Sequence, residues 1–296
     1  MSAASARLDA ELVRRGLARS RGRAAALVAQ GRVRVGDVVA RKASQPVPEA
    51  AALSIVPDGA TEYVSRAAHK LAGALDAINA LAPGALQLAG ARCLDAGAST
   101  GGFTQVLLER GAAHVVAVDV GHGQIAPVVA ADPRVTVREG VNVRWLSRQD
   151  VGGPVDIVVA DLSFISLTVV LPALVGAVAP GANLLVMVKP QFEVGRQRLG
   201  ASGVVTSPAL REEAVRRVAE AAKDLGAVVR AVVPSGLPGP AGNREYFLWL
   251  TPGSASPVDR TGLGDAAAQS VHDAVRLAVR DDVATLVGAA TVRSIR

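Results

Sequence analysis

The stretch CLDAGASTGGFTQVLLERGAAHVVAVDV, Cys93 to Val120, decides the fold. An apolar run ends in a glycine-rich turn, a helical pattern follows, and a second apolar run closes on an acid, Asp119. This is the layout of a nucleotide-binding βαβ unit. Its glycines stand as Gly97-x-x-x-Gly101-Gly102, which is not the dinucleotide spacing, and no Gly-Lys-Ser/Thr is present for a triphosphate. The turn therefore need not hold a phosphate. Its glycines let the backbone approach a ligand, and the N–H groups of the following helix suit an amino-acid carboxylate equally well. Asp119 stands about twenty residues on, where a carboxylate can accept from both hydroxyls of a ribose. A nucleoside joined to an amino acid is S-adenosylmethionine, which is the cofactor we expect here. Asp95, Gly97, Ser99, Gly101, Gly102, Phe103, Asp119, Asn142 and Asp161 make up the expected cofactor-binding set.

Outward from this unit, apolar runs and helical patterns alternate from Glu62 onward. Strands are expected near Arg92–Asp95, Val115–Asp119, Val135–Val137, Asp156–Ala160, Leu184–Val188, Ala227–Val233 and Glu245–Leu250. The clearest helix runs from a capping Ser207, with Pro208 in its first turn, to Gly226. A tight Gly/Pro loop joins the last two strands. Seven such strands predict an α/β fold: a class I, Rossmann-like methyltransferase sheet, parallel except for a final hairpin. The run Leu162–Val188 carries no charged residue and is long enough to cross a bilayer. Pro172, Pro180, Gly181 and Asn183 interrupt it, so a helix between two buried strands explains it better. Beyond Pro252 a polar helical pattern, LGDAAAQSVHDAVRLAVRDD, reads as an appendage.

The N-terminal block has a different character. RLDAELVRRGL sets Leu8, Leu12, Val13 and Leu17 on one helix face and arginines on the other. SRGRAAALVAQG starts at a capping Ser20 and stops at Gly31, and RVRVGDVVA alternates around a Gly36-Asp37 turn. Two short helices and a small β element predict a small α+β domain over residues 1–60. A larger domain is expected over 61–252 and an extension over 253–296.

The net charge is +6, and before Thr61 ten Arg and Lys face five acids. A basic end on a nearly neutral body points to a polyanion. Arg7, Arg14, Arg19, Arg21, Arg23, Arg32 and Arg34 are the candidate RNA contacts, since they cluster where phosphates could be tracked. One cysteine, Cys93, lies within an apolar run, which excludes disulfides and thiolate clusters and reads as a buried, inert thiol. His69, His114, His122 and His272 are scattered, so no metal is expected. No signal-peptide pattern is visible, and the expected location is the cytoplasm.

The chain holds four lysines against twenty-eight arginines. A lysine retained against that bias is a candidate amine, because lysine can lose its proton and arginine cannot. Lys42 and Lys223 read as solvated. Lys189 ends the strand LLVMVK, and Lys70 lies in the helix before the first strand. Asp161 closes DIVVAD and Glu245 opens EYFLWL. Strand ends are where such sheets collect their chemistry. Two lysines and two carboxylates there suit methyl transfer to a sugar hydroxyl, which must lose its proton as it attacks. A lysine held near another cation and partly desolvated would serve as the base.

Two resemblances extend these readings. The N-terminal pieces RLD, SRGRA, GRVRVGD and LSIV resemble the α-L RNA-binding domain of a ribosomal small-subunit protein, pseudouridine synthases and a bacterial tyrosyl-tRNA synthetase. EYVSRAAHKL, CLDAGASTGGFTQVLL, VDVGHGQ, VVADLSFISL, VKPQFEVGR and NREYFLWL together resemble the TlyA haemolysin family of ribosomal-RNA ribose methyltransferases. The catalytic half is similar to FtsJ-like ribose methyltransferases, whose lysine–aspartate–lysine–glutamate tetrad falls on Lys70, Asp161, Lys189 and Glu245. That resemblance implies transfer from S-adenosylmethionine to the 2'-hydroxyl of cytidine in ribosomal RNA, of the small subunit alone or of both. The family name also records haemolysis, a rival reading that requires an amphipathic or membrane-spanning segment. His122 departs from the aromatic Tyr common at that position, and the tail is longer than the family leads us to expect.

Overall fold

The computed structural model describes residues 5–18, 20–29, 31–56, 63–253, 264–287 and 294–295. The chain divides into two units, Met1–Glu62 and Tyr63–Arg296. In the first, β1 (Ser5–Arg7) leads into α1 (Leu8–Arg14), where Leu8 and Leu12, one turn apart, are fully buried. The next helix, α2 (Arg21–Ala29), opens where Ser20 Oγ accepts the Arg23 amide at 3.2 Å. Beyond it Gly31 turns the chain at φ +70°. Gly36 and Asp37 reverse the chain between β2 (Val33–Val35) and antiparallel β3 (Val38–Val39). A further strand, β4 (Pro46–Pro48), pairs with β1, and β5 (Leu53–Ile55) takes the other edge of β2. Leu8, Leu12, Ala24, Leu27, Val33 and Val47 form this unit's own core.

The second unit runs α3 (Ala67–Leu81), β6 (Arg92–Ala96), α4 (Gly102–Glu109), β7 (His114–Asp119), α5 (Pro127–Ala130), β8 (Val135–Glu139), β9 (Val155–Ala160) and α6 (Leu167–Ala177). It continues through β10 (Val178–Val188), α7 (Pro190–Glu193), α8 (Pro208–Asp224), β11 (Ala227–Pro234), β12 (Tyr246–Pro252), α9 (Gly264–Arg276), β13 (Ala284–Leu286) and β14 (Ser294–Ile295). Strand residues alternate between two cores, as the period of two requires. Leu94, Val116 and Val158 face the side covered by α6, α8 and α9, whereas Cys93, Val115 and Ile157 face the side covered by α3 and α4. The uncharged run Leu162–Val188 contributes α6 and β10, and Leu167, Val170, Leu171 and Leu174 are buried. Each stabilises the fold by about 1.5–3 kcal/mol. Among the described residues no helix is long and apolar enough to cross a membrane.

The sheet order is β14-β13-β11-β12-β10-β9-β6-β7-β8. Strands β6 to β10 run parallel, and β12 lies antiparallel to both β10 and β11. All seven expected strands are present, but among the described residues the sheet has nine. The two additions come from the tail: β13 pairs with β11 and β14 with β13. Without β13 the outer edge of β11 would present unpaired backbone groups. Ala274, Val275, Ala278 and Val279, from α9 and the turn that follows it, join the core beside α8. The described part of the tail is thus built into the sheet.

The order in which strands are added to the sheet reverses between β6 and β9, which are themselves parallel. From β6 the chain steps outward to β7 and β8, then returns to β9 and steps the other way to β10. The crevice at the carboxyl ends of these two strands is where open α/β sheets bind ligands.

Candidate active site

The glycine turn occupies that crevice. Gly97 has φ +87°, and a Cβ there would stand 2.6 Å from the Asp161 carbonyl oxygen. Only glycine permits both the conformation and the approach of the two strand ends. Gly102 opens α4 directly against Ser65, whose Oγ would lie 2.2 Å from an added Cβ. The turn is held from the side by Asp119, which accepts the Ser99 amide at 2.8 Å and the Gly121 amide at 2.7 Å. Beneath it Asp95 is fully buried; its Oδ2 accepts the Thr104 hydroxyl at 2.7 Å and its Oδ1 has no partner. Burial pushes the Asp95 carboxyl up to about 7. The Cys93 thiol is likewise buried and pushed up to about 12.

A cavity of about 200 Å³ opens here, lined by Ser65, Gly97, Ser99, Gly102, Phe103, Asp161, Ser163 and Lys189 among others. The charged residues arrive by register. Ala160 pairs with Ala96 and Val186, so Asp161 emerges at the edge beside the glycine turn. Val188 pairs with Tyr246, which brings the next residue out on each strand, Lys189 and Glu245, to the same edge. Lys189 Nζ lies 2.6 Å from Asp161 Oδ1 as an ion pair and donates to Ser163 Oγ at 2.9 Å. Lys70 Nζ lies 2.5 Å from Glu245 Oε2, with both side chains at least nine-tenths buried. The four expected residues therefore form two ion pairs. Of the four, Asp161 and Lys189 line the cavity, and Lys70 and Glu245 form a separate, buried pair.

The family model for FtsJ-like methyltransferases matches residues 63–251. The chain belongs to the FtsJ-like methyltransferase family. Within this family it is 53% identical over 268 residues to the 16S/23S rRNA (cytidine-2'-O)-methyltransferase TlyA of Mycobacterium tuberculosis, covering 90% of this chain and 98% of that one. It is 31% identical to the 23S rRNA (cytidine-2'-O)-methyltransferase TlyA of Campylobacter jejuni, over 63% of this chain and 70% of that one. The solved structure "Putative hemolysin from Streptococcus thermophilus" is 31% identical with a TM-score of 0.64, covering 94% of this chain and 97% of that one. An S4 domain model matches residues 6–51.

For an FtsJ-like methyltransferase, the expected cofactor residues Gly97, Ser99, Gly102, Phe103 and Asp161 stand at the cavity wall. Asp95, Gly101, Asp119 and Asn142 do not. Asp119 braces the turn, and Asn142 Oδ1 accepts the Arg144 amide at 3.0 Å. Ser65 and Ser163 were not singled out from sequence. Both lie inside quoted motifs, but serine is common and its use depends on what approaches it. Phe164, next to Ser163, was also passed over. It is 91% exposed at φ +65°, and its ring stands 5.3 Å from that of Phe192.

In the S4 unit, Arg7 and Arg21 both bind Asp9, and Arg14 and Arg15 both bind Glu11. Hydrogen bonds from Arg7, then Arg21, hold the Asp9 carboxyl well below the usual range, and those from Arg14 and Arg15 do so for Glu11. The acids are buried while the Arg7, Arg14 and Arg21 side chains stay 53%, 57% and 59% exposed. The acids orient these guanidinium groups without covering them. Arg34 donates to the Asp37 carbonyl at 3.2 Å and Arg32 to the Val56 carbonyl at 3.1 Å. Arg23 stands in the first turn of α2, and Arg19 lies outside the described residues.

Proposed function

We propose that this methyltransferase moves the methyl group of S-adenosylmethionine to the 2'-hydroxyl of a cytidine in ribosomal RNA. The observation that carries the reading is the meeting of Lys189, Asp161 and Ser163 with the glycine turn in one cavity. The site fits the cofactor: Gly97, Ser99, Thr100 and Gly102 of the turn line the cavity, and Asp119 stands beside the turn, only partly buried. The amides of Gly97, Ala98, Ser99 and Gly101 are engaged by Val118, Asp119 and Ala98, so those of Thr100 and Gly102 would hold the methionine end, with Asp119 and Asn142 toward the ribose and base. When bound, S-adenosylmethionine supplies an electrophilic methyl on sulfur, and the C–S electron pair leaves with sulfur as the oxygen–carbon bond forms.

Lys189 Nζ is the group that takes the proton lost by the ribose hydroxyl in this step. Asp161 and Ser163 aim that nitrogen, and the Asp161 carboxylate stabilises the ammonium that results. Lys70 and Glu245 form a second, buried ion pair. Phe164 offers an exposed ring beside the pair, a surface suited to stacking an unpaired base. The S4 unit supplies arginines for phosphates, and an RNA substrate implies a cytoplasmic location. Higher identity to the relative named for both ribosomal RNAs than to the one named for 23S alone favours action on both subunits.

The test is transfer of labelled methyl by the full chain to small and large subunits lacking the modification, with the product mapped by nucleoside analysis. Expected is 2'-O-methylcytidine in both. Label on a base, or none in RNA, sinks the reading.

A further inference from the structure

Glu193 is a buried carboxylate that the chemistry above does not use, and it stands four residues after Lys189 in the same turn, on α7. Its Oε1 accepts the Leu167 amide at 2.8 Å, and its Oε2 accepts the Ser166 hydroxyl at 2.5 Å. Leu167 is the first residue of α6, and Ser166 caps that helix by accepting the Thr168 amide at 3.2 Å. The segment leading into the cap is Asp161–Ser166, which carries both partners of Lys189. Phe192 and Phe164 add a second link between the same two segments, ring to ring at 5.3 Å. From the far side Arg217, on α8, donates to the Glu193 carbonyl at 3.0 Å and fixes α7 to the body of the sheet.

We propose that Glu193 is a positioning residue for methyl transfer: its carboxylate fastens the segment bearing Lys189 to the segment bearing Asp161 and Ser163, and so holds Nζ against them. This rests on the reading of Lys189 given above. What matters in such a clamp is reach. Glutamine has the same length, and its amide can accept from Leu167 and bond to Ser166. Aspartate keeps the charge but is one methylene short.

The experiment compares the full-chain variants Glu193→Asp and Glu193→Gln in single-turnover methylation at saturating RNA and cofactor, with cofactor affinity by calorimetry and folding by thermal melt. Glu193→Asp should lose about tenfold or more in the rate constant, since misplacing a reacting group by about 1 Å costs on that scale. Its cofactor Kd should stay within about twofold, because the glycine turn is untouched. Glu193→Gln should remain within about threefold of the parent. Normal turnover by a folded Glu193→Asp, or the reverse ranking of the two, overturns the proposal. Should Glu193→Asp not fold, Ser166→Ala, which removes one of the two bonds from the other side, must slow transfer, and an unaltered rate there overturns it equally. Lys189→Ala separates the two readings: if it still turns over, the base assignment has failed, whereas an inert Lys189→Ala beside a fully active Glu193→Asp condemns the clamp alone.

Discussion

The amine of Lys189 touches a carboxylate and a hydroxyl at the mouth of a cavity, whereas that of Lys70 touches one carboxylate and is buried. These surroundings predict different failures. Lys189→Arg keeps the charge but cannot release a proton, so methyl transfer should fall about a hundredfold or more with melting temperature and cofactor affinity little changed. Near-normal single-turnover rates would leave Lys189 as a positioning group. Lys70→Met strands Glu245 as a buried, unpaired charge, and urea unfolding should register about 3–5 kcal/mol of lost stability. If Lys70→Met instead unfolds like the parent, the pair is not needed to hold the fold. The two lysines were visible in the sequence because arginine is used almost everywhere else. Ser163, Phe164 and Glu193 were not, since their roles depend on which other segment arrives beside them.

At the level of elements, β6, the glycine turn and α4 form one device, and Asp95 joins its two ends. Asp95, next to last in the strand, accepts from Thr104 on the helix, leaving Oδ1 without a partner. Burial raises its pKa from the ordinary 3.8 to about 7. The folded chain therefore keeps a proton that the unfolded chain releases at lower pH. Asp95's contribution is fully favourable below about pH 4, declines as pH rises, and is lost above about pH 7, by at most on the order of 4 kcal/mol. Asp95→Asn removes the ionisation. In urea unfolding, its stability relative to the parent should improve between pH 5 and pH 8. A constant difference across that range would show that Asp95 ionises in the fold as it does in water. The turn itself was readable from its glycine spacing and the acid at the next strand end, both local features. The load on Asp95 was not, because the depth of burial is decided by α3 and α4 covering that face.

Over the whole molecule, a basic S4 unit accompanies a catalytic unit built on a nine-stranded sheet. If Arg7, Arg14 and Arg21 bind phosphates, affinity for a ribosomal RNA fragment should fall steeply with salt. Replacing the three by glutamine should flatten the slope of log K against log salt by about two to three, with cofactor affinity unchanged. An unaltered slope in a titration between 50 and 200 mM salt, about the range where phosphate contacts lose most affinity, would assign those arginines to the S4 fold alone. By itself the sequence determined the seven core strands, the helix within the uncharged run Leu162–Val188 and the charged residues at the strand ends. Each of these is a matter of local period, turn chemistry or composition, which a few neighbouring residues set. Only the tertiary structure decided that the tail adds β13 and β14, that the tetrad divides into a pair lining the cavity and a separate, buried pair, and that Glu193 ties the two catalytic segments together. Strand pairing and side-chain contact join residues far apart in the chain, and their geometry exists only once the sheet has brought them to one edge.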